Sequence, residues 1–376
     1  MKKAKRRRGT RKKIVIHADC KHFRGDVPCR PHKEHGVRCD GCAYYERQDV
    51  KILIIKLGAA GDVIRTTPLL TKLRETHPHS RIYWMTHHPM LIPSLVDVVL
   101  DLSVKSMVLL EETPFDVVFN LDKDPEACAV ASKVRSRVKK GFLLRDGKPA
   151  PADAAAEGKF LAGIFDDIGR ANRKSYVEEM FGICGFPFHK EEYILDVRQD
   201  GEKWDLNRPG TIVGLNTGCG ARWPSRLWDV NRWAELARAL KQKGYEVVLL
   251  GGEDEDGRNR IIQEKSGAKY FGYFPLDKFI ALIQRIDVLV TGVTMALHIG
   301  LGLKKKVVLL NNIFNPHEFE LYGRGVIVEP DRPCHCFYAP TCTNPDYFCM
   351  DHLGADKLLR EVERMAGRKE SSSLIL

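Results

Sequence analysis

The sequence predicts an α/β protein with two domains, each built on a parallel sheet that helices cover on both faces. Short apolar segments rich in β-branched residues alternate with helical segments along most of the chain, as they do in such sheets. The chain of 376 residues is also longer than one hydrophobic core normally serves. In addition, a strand that runs through a glycine turn into a helix occurs twice, near residues 51 and 211. Each of these turns is therefore expected to open a domain.

The sequence contains no segment typical of a membrane-spanning or an exported protein. No apolar run approaches the roughly 18 residues of a spanning helix. The basic residues 1–13 are followed by only three apolar residues, 14–16, so a signal peptide is not expected. We expect a cytoplasmic protein, with a peripheral position at the inner face of the cytoplasmic membrane as a further option.

The N-terminal arm is strongly basic. Nine lysines and arginines fall within residues 1–13, and the net charge of the chain is +11. Such a run is typical of a solvated arm. It also suits an anionic membrane surface, where each basic residue contributes about 1 kcal/mol, or nucleic acid. The arm alone leaves these alternatives open.

Eight of the eleven cysteines form two groups of four in a chain with no export signal, which favours metal binding over disulfides. The first group is Cys20, Cys29, Cys39 and Cys42. It lies in a polar segment, 22–42, with too few apolar residues to fold without a staple. We expect a structural zinc knuckle here, because four thiolates complete a tetrahedral site. Free thiols or an iron–sulfur cluster are the alternatives.

The second group lies on an irregular segment interrupted by prolines, just before the last predicted helix. Its members are Cys334, Cys336, Cys342 and Cys349. A second structural metal, zinc or iron, is expected to hold this loop.

The first domain opens with the stretch 51–68, KILIIKLGAAGDVIRTTP. An apolar strand over 52–57 leads into a turn of small residues, in which Gly58 and Gly61 allow the close approach of a ligand. Asp62 follows at the start of the next helix. A carboxylate there either complements the helix dipole or acts in catalysis, and the pattern alone leaves both roles open.

Strands are predicted next over 81–85, 96–100, 115–121 and 139–143. The segment 147–157, rich in proline and alanine, is predicted to be an exposed loop. A helix is expected over 172–184, and the polar residues 200–209 are the predicted linker between the domains.

The second domain opens with a strand over 211–215 and a polar turn, Asn216-Thr217-Gly218, whose amides suit a phosphate group. A helix over 230–243 and a strand over 246–250 follow. Glu253 lies just past that strand, where a carboxylate can bind ribose hydroxyls.

Farther along, strands are predicted over 288–290 and 306–310, with a helix between them that ends near residue 303. A closing amphipathic helix is predicted over 353–365, and residues 369–376 are expected to fray.

Several of these stretches resemble glycosyltransferase family 9, the ADP-heptose:lipopolysaccharide heptosyltransferase family. The resemblance covers residues 51–365. It rests on the opening stretch with Asp62, on Arg226-x-Trp228 before a helix containing Ala-Glu-Leu, on Thr294 with His298, and on the cysteine cluster ending in Cys349-Met350. It implies the GT-B arrangement, in which two Rossmann-like domains face each other across the active site. The corresponding divisions are 1–48 for the arm and knuckle, 49–200 and 207–352 for the two domains, and 353–376 for the closing helix and tail.

The resemblance also implies roles for individual residues. Asp62 stands where the family has its general base, Arg226 where it has a donor-phosphate cation, and Glu253 where an acid serves the nucleoside. Thr294 and His298 match the diphosphate-binding signature. The chain departs from the family pattern where Ala59 replaces a serine, where Val293 and Met295 replace the signature aspartate and glycine, and at residues 311–315.

The resemblance therefore implies transfer of a sugar, heptose or a related one, from a nucleotide-sugar donor, ADP-heptose or a related molecule, to a cell-envelope or other glycan acceptor, including a lipid-linked one. No catalytic metal is expected, because Arg226 and a helix start supply positive charge. Two alternatives belong to other classes. Val293 and Met295 favour a catalytically silent scaffold that binds nucleotide sugars, and the basic arm with its cysteine knuckle favours a nucleic-acid-binding protein. Nucleic acid is the less expected partner.

Overall fold

The computed structural model describes residues 14–196, 204–206, 210–220 and 222–367. The predicted basic arm and fraying tail lie outside these residues, and so does the predicted linker apart from residues 204–206.

The N-terminal part begins with the cysteine-rich segment, which holds one short helix, α1 (Arg30–His35). An α/β domain follows. Its elements in chain order are β1 (Lys51–Ile55), α2 (Ala60–Ile64), α3 (Leu69–Thr76), β2 (Arg81–Met85), β3 (Val98–Leu100), α4 (Val104–Glu112), β4 (Phe115–Asn120), α5 (Pro125–Lys133), β5 (Ser136–Arg145), β6 (Lys148–Pro151), α6 (Ala154–Ala162), α7 (Asp166–Ala171) and α8 (Tyr176–Cys184).

The first sheet has the strand order β3-β2-β1-β4-β5-β6. All neighbouring strands are parallel except β5 and β6. Strand β1 lies at the centre, and its residues 52–55 are completely buried. Full burial explains why this strand reads as a continuous apolar run, since helices cover both faces of a parallel sheet.

The C-terminal part is a second α/β domain. Its elements are β7 (Ile212–Asn216), α9 (Val230–Gln242), β8 (Glu246–Leu250), α10 (Asp256–Ser266), α11 (Leu276–Gln284), β9 (Val288–Gly292), α12 (Met295–Gly302), β10 (Lys306–Leu310), β11 (Gly325–Val328) and α13 (Ala355–Ala366). The strand order is β11-β10-β9-β7-β8, and every pair is parallel. Two parallel-sheet α/β domains were predicted, and two are present.

Each sheet contains a point where the order of strands reverses direction. In the first sheet this point lies between β1 and β4, and in the second between β7 and β9. Ligands of open α/β sheets bind outside the carboxyl ends of the strands at such points. The loops after β1 and β7 are therefore the expected sides of a site.

The segment 147–157 is not the loop that its composition predicted. Lys148–Pro151 forms β6, which pairs antiparallel with β5, and α6 begins at Ala154. The backbone amide of Ala152 donates to the carbonyl of Gly141. The residues that exchange backbone hydrogen bonds with β5 alternate with Pro149 and Pro151. The positions of the two prolines, which lack an N–H group, therefore face away from β5, on the free edge of the sheet. Prolines exclude a central strand but not an edge strand.

The closing helix α13 lies against the second domain. Leu358 and Val362 share a hydrophobic cluster with Trp233 and Leu236 of α9. The indole of Trp228 donates a hydrogen bond to the carbonyl of Leu353, just before α13, at 3.0 Å. Among the described residues, no helix is both long and apolar enough to cross a membrane.

Candidate active site between the two domains

A pocket of approximately 750 Å³ lies between the two domains, and both contribute to its wall. From the first domain come the turn and helix start after β1, including Ala59, Gly61 and Asp62. The second domain contributes the loop after β7 and the start of α12. The two reversal points of the sheets thus face one cavity.

Asp62 lies in the first turn of α2 and holds two cations of its own domain. Its Oδ1 accepts a hydrogen bond from Arg65 Nε at 2.9 Å, and Arg65 Nη2 lies 2.8 Å from the same oxygen in an ion pair. Its Oδ2 lies 3.7 Å from the Nζ of Lys56, which also pairs with Asp122 at 3.3 Å. Burial opposes ionisation of Asp62, but Arg65 and Lys56 outweigh it and lower its pKa to about 2. The carboxylate is therefore ionised at neutral pH, and the hydrogen bond from Arg65 goes to its Oδ1.

The turn before Asp62 is held by a second carboxylate. Buried Asp122, which follows β4, accepts hydrogen bonds from the backbone amides of Leu57 at 3.0 Å and Gly58 at 3.3 Å. Gly58 does not line the pocket, whereas Gly61 does.

His298 of α12 packs directly on Gly61. A Cβ added at Gly61 would lie 2.5 Å from His298 Cδ2, closer than any side chain tolerates. His298 is buried, and burial together with nearby Arg65 lowers its pKa to about 3, so the ring is neutral. Its Nδ1 is buried without a hydrogen-bond partner among the described residues. Gly61 thus lets the two domains approach at the pocket.

Substituting Gly61 by alanine is expected to disturb this contact. The added methyl group must displace the His298 ring or the backbone of α2, and overpacking of this kind costs about 1 to 3 kcal/mol. Thermal unfolding measures the loss. Gly158→Ala is the matched control, because nothing lies within 4 Å of a Cβ there. Equal stability of the two variants would contradict the close packing of His298 on Gly61.

The turn after β7 is held by polar side chains. Asn216 Nδ2 donates to the hydroxyls of Thr291 at 3.1 Å and Thr294 at 3.2 Å. Asn216 and Gly218 line the pocket, but Thr217 does not; its hydroxyl donates to Asn259 at 2.5 Å. Because the Thr294 hydroxyl contacts Asn216 and Thr291, the first amides of α12 have no side-chain cap.

Arg226 reaches the same region from a single helical turn after the loop. Its Nη2 donates to the carbonyl of Cys219 at 2.7 Å, and Nη1 donates to the carbonyl of Val293. Within the described parts of the chain it forms no ion pair with a carboxylate. Burial lowers its pKa to about 10, and the group remains cationic at neutral pH. A half-buried cation on a pocket wall, with no carboxylate partner among the described residues, suits an anionic ligand.

Glu253 and its neighbours are placed differently from the prediction. Glu253 is exposed and does not line the pocket, whereas Asp254 and Glu255 do. Glu255 accepts a hydrogen bond from the amide of Gly252 at 2.8 Å and packs over Gly218. In the turn after β8, the acidic residues that line the pocket are therefore Asp254 and Glu255, which follow Glu253 in the chain.

Both cysteine groups are gathered in space. Cys20, Cys29, Cys39 and Cys42 line one cavity of approximately 290 Å³. In the second group, Cys336 Sγ lies 3.7 Å from Cys342 Sγ, and the amide of Cys336 donates to Cys334 Sγ at 3.3 Å. Even so, the described residues hold no group of three or more cysteine, histidine or acidic side chains arranged to bind a metal ion. The predicted knuckle is therefore not confirmed as a metal site.

Three pocket residues escaped the sequence interpretation. Arg65 follows Asp62 by three positions, which is the spacing of a helical ion pair and was a usable signal. Glu318 and Tyr338 belong to the other domain, and Glu318 Oε1 lies 2.8 Å from Arg65 Nη1. Only the fold brings residues 65 and 318 together, so this pair could not be inferred from sequence spacing.

Comparison with known proteins agrees with the fold and with the family resemblance. The description "Glycosyltransferase family 9 (heptosyltransferase)" matches residues 185–342. Lipopolysaccharide heptosyltransferase 2 of Escherichia coli is 29% identical over 100 residues, which are 25% of this chain and 29% of that protein. The aligned stretch therefore spans less than a third of that curated relative.

Solved structures are similar over most of the chain. A family 9 glycosyl transferase from Veillonella parvula has a TM-score of 0.67 at 17% identity, covering 86% of this chain and 99% of that one. Escherichia coli ADP-heptose LPS heptosyltransferase II has a TM-score of 0.61 at 18% identity, covering 84% and 98%. The bacterial iron-containing dodecameric glycosyltransferase TibC, from enterotoxigenic E. coli, has a TM-score of 0.54 at 13% identity, covering 85% and 77%.

At these identities the structures establish the fold, which is that of the GT-B glycosyltransferases. The family match rests on the sequence itself and begins at residue 185. The resemblance inferred from the sequence is therefore confirmed: residues 185–342 match glycosyltransferase family 9, and the chain is similar in sequence to a curated heptosyltransferase.

Proposed function

We propose that this protein transfers a sugar, heptose or a related one, from a nucleotide-diphosphate donor to a hydroxyl group of a cell-envelope or other glycan acceptor. The observation that carries the proposal is the pairing of opposite charges across one pocket. Asp62, an ionised carboxylate, lies on one wall, and Arg226, a half-buried cation without a carboxylate partner among the described residues, lies on the other. Asp62 could accept the proton of the acceptor hydroxyl, and Arg226 could stabilise the negative charge of the departing diphosphate.

The donor would lie on the second domain. Arg226 and the uncapped start of α12 at Thr294 supply positive charge for the diphosphate. Asn216 and Gly218 line the turn beside them, and Asp254 or Glu255, rather than Glu253, is placed to meet the ribose. ADP-heptose is one such donor. Heptosyltransferases with this fold are recorded with ADP or an ADP-heptose analogue, which supports a nucleotide sugar here.

The acceptor would approach from the first domain. Asp62 Oδ2, which Arg65 does not engage, would take the proton of the acceptor hydroxyl. The acceptor oxygen then forms its bond to the anomeric carbon, while the bond from that carbon to the phosphate oxygen breaks. The nucleoside diphosphate leaves with the electron pair, and Arg226 and α12 stabilise its charge. This scheme uses no catalytic metal.

We propose that the protein acts in the cytoplasm and takes its nucleotide-sugar donor from there. For a lipid-linked acceptor, the nine basic residues of the arm would add peripheral contact with an anionic membrane surface, at about 1 kcal/mol each. We keep nucleic acid as the less favoured partner of the arm.

Nucleotide binding followed by turnover tests the proposal. Nucleoside diphosphates and their sugars should raise the melting temperature, because a ligand at one hundred times its dissociation constant adds about 2.7 kcal/mol of stability. Donors that stabilise the protein are then offered with candidate glycan acceptors, and release of the diphosphate is followed. The proposal fails if no nucleotide sugar stabilises the protein.

A silent nucleotide-sugar scaffold is the second candidate, favoured by one observation. Val293 and Met295 line the pocket where the family signature has an aspartate and a glycine. The carbonyl of Val293 accepts a hydrogen bond from Arg226. Stabilisation by a nucleotide sugar without turnover on any acceptor would favour this reading.

We also propose one structural metal ion, zinc or iron, at each cysteine group. The 3.7 Å between Cys336 Sγ and Cys342 Sγ equals the edge of a tetrahedron of sulfurs about 2.3 Å from a central zinc. Such an ion would hold its loop in place and take no part in sugar transfer. TibC is described as iron-containing, so we propose iron and zinc equally for these sites.

Purified protein should therefore contain about two metal ions and lose folded signal on strong chelation. Cys336→Ser should lower the metal content by one ion, and Cys39→Ser should lower it by one in the other group. Cys128→Ser, outside both groups, should leave it unchanged. Metal content near zero in soluble protein prepared under reducing conditions would contradict both sites.

A further inference from the structure

The pocket contains a row of charges that runs from one domain into the other. Arg65 of the first domain contacts Asp62 through Nε and Nη2, and contacts Glu318 of the second domain through Nη1 at 2.8 Å. Its guanidinium lies over the ring of Tyr176, with 3.6 Å from Cζ to the ring centroid. Arg65 is buried, so neither of its carboxylate contacts is a loose surface pair.

Glu318 is itself fixed from several sides. Its Oε2 accepts a hydrogen bond from the hydroxyl of Tyr338 at 2.5 Å. The single helical turn that carries it, Pro316–Glu318, is capped by Asn315. Asn315 Nδ2 also donates to the carbonyls of Gly169 at 2.9 Å and Asn172 at 2.7 Å, which belong to the first domain. The turn is thus anchored where the domains meet.

The contacts divide the guanidinium between two anions. A free arginine fork prefers to bind one carboxylate through two parallel hydrogen bonds, one to each oxygen. Here both nitrogens that face Asp62 converge on Oδ1, and the third nitrogen is directed at Glu318. As a result, the hydrogen bond from Arg65 goes to Oδ1 and not to Oδ2 of Asp62, and Oδ2 lies 3.7 Å from the Nζ of Lys56.

We infer that Glu318 is a positioning residue for Asp62, acting through Arg65. By holding one side of the fork, the second domain keeps Arg65 from closing over both oxygens of Asp62. Oδ2 of Asp62, the oxygen that would take the acceptor proton, then receives no hydrogen bond from Arg65. This inference rests on the proposed role of Asp62 in glycosyl transfer, and it assigns the donor-binding domain a part in preparing the group on the acceptor side.

Glu318→Gln tests the inference, because it keeps the shape of the side chain and removes its charge. The turnover number should fall by about 10-fold to 100-fold, a part of the roughly 10²-fold to 10⁴-fold that general-base assistance contributes. The dissociation constant for the nucleoside diphosphate, measured by calorimetry, should stay nearly the same. Glu320→Gln is the matched control: Glu320 pairs with Lys190 between the domains but does not contact Arg65. Its turnover should match the wild type.

A double-mutant cycle separates positioning from general support of the fold. In an Asp62→Asn background no base remains to be positioned, so Glu318→Gln should lower turnover little further. An equal loss in both backgrounds, or unchanged turnover in the single variant, overturns the inference.

A crystal structure of the Glu318→Gln variant tests the same inference without an activity measurement. We expect the Arg65 fork to engage both oxygens of Asp62, and an unchanged contact with Oδ1 alone overturns the inference. A wild-type protein that transfers no sugar would count against the proposed function, while the geometry of the variant would still decide whether Glu318 controls Asp62.

Discussion

Replacing Asp62 by asparagine is expected to lower sugar transfer by about 10²-fold to 10⁴-fold, the usual loss when a general base is removed. Asparagine keeps the shape of the side chain but cannot accept the proton. The nucleotide site on the other domain should bind with unchanged affinity, because Asp62 lies on the opposite wall of the pocket. Arg65 and Lys56 each lose a charged partner, so unfolding should become easier by about 1 to 3 kcal/mol.

Rate and melting temperature measured on this one variant separate catalysis from a structural role. If Asp62 has only a structural role, the variant loses this stability, to which the dipole of α2 adds about 0.3 to 1 kcal/mol, but it keeps its turnover. Asp167→Asn is a suitable control, since Asp167 is an exposed aspartate in the first turn of another helix of the same domain, α7. An Asp62→Asn variant as active as this control would return Asp62 to the structural role.

Arg226→Ala is expected to weaken binding of a nucleoside diphosphate by about 10-fold to 100-fold, since hydrogen bonds to charged groups contribute roughly 1.5 to 3 kcal/mol. Binding of the free nucleoside should change much less, because the lost interaction is with phosphate. Calorimetric titration of both ligands into both proteins measures the difference.

Two further variants sharpen the test of Arg226. Arg232→Ala removes an exposed arginine of α9 that pairs with Glu235, so it controls for the change in net charge. Arg226→Lys keeps the charge but loses the planar fork, and intermediate affinity is expected. Equal losses for the diphosphate and the nucleoside in Arg226→Ala would remove Arg226 from phosphate binding.

Strands buried on both faces could be read from the sequence. Strands β2, β8 and β10 coincide with their predicted ranges, because a short β-branched run leaves little freedom where a buried strand begins and ends. Helix α8 begins at Tyr176, four residues after its predicted start, where the side chain of Ser175 accepts from the amide of Glu178. Local hydrogen bonding set this boundary more strongly than the apolar pattern did.

The site was predictable where its residues follow a strand directly. Asp62, Asn216 and Gly218 all line the pocket because the carboxyl ends of parallel strands meet there. The position of Glu253 was less accessible, since a run of four acids does not indicate which side chain turns inward. The contact between Glu318 and Arg65 could not be predicted, because the two residues are more than 250 positions apart and belong to different domains.

The prolines of β6 also bear on how the protein behaves at high concentration. The free side of an edge strand offers amide and carbonyl groups to which a strand of a second molecule can bind, and this is a common start of aggregation. At Pro149 and Pro151 the outward positions carry no N–H group, so an incoming strand finds no donors there. The opposite edge is β3, only three residues long. Both ends of the first sheet are therefore poor templates for intermolecular β-pairing.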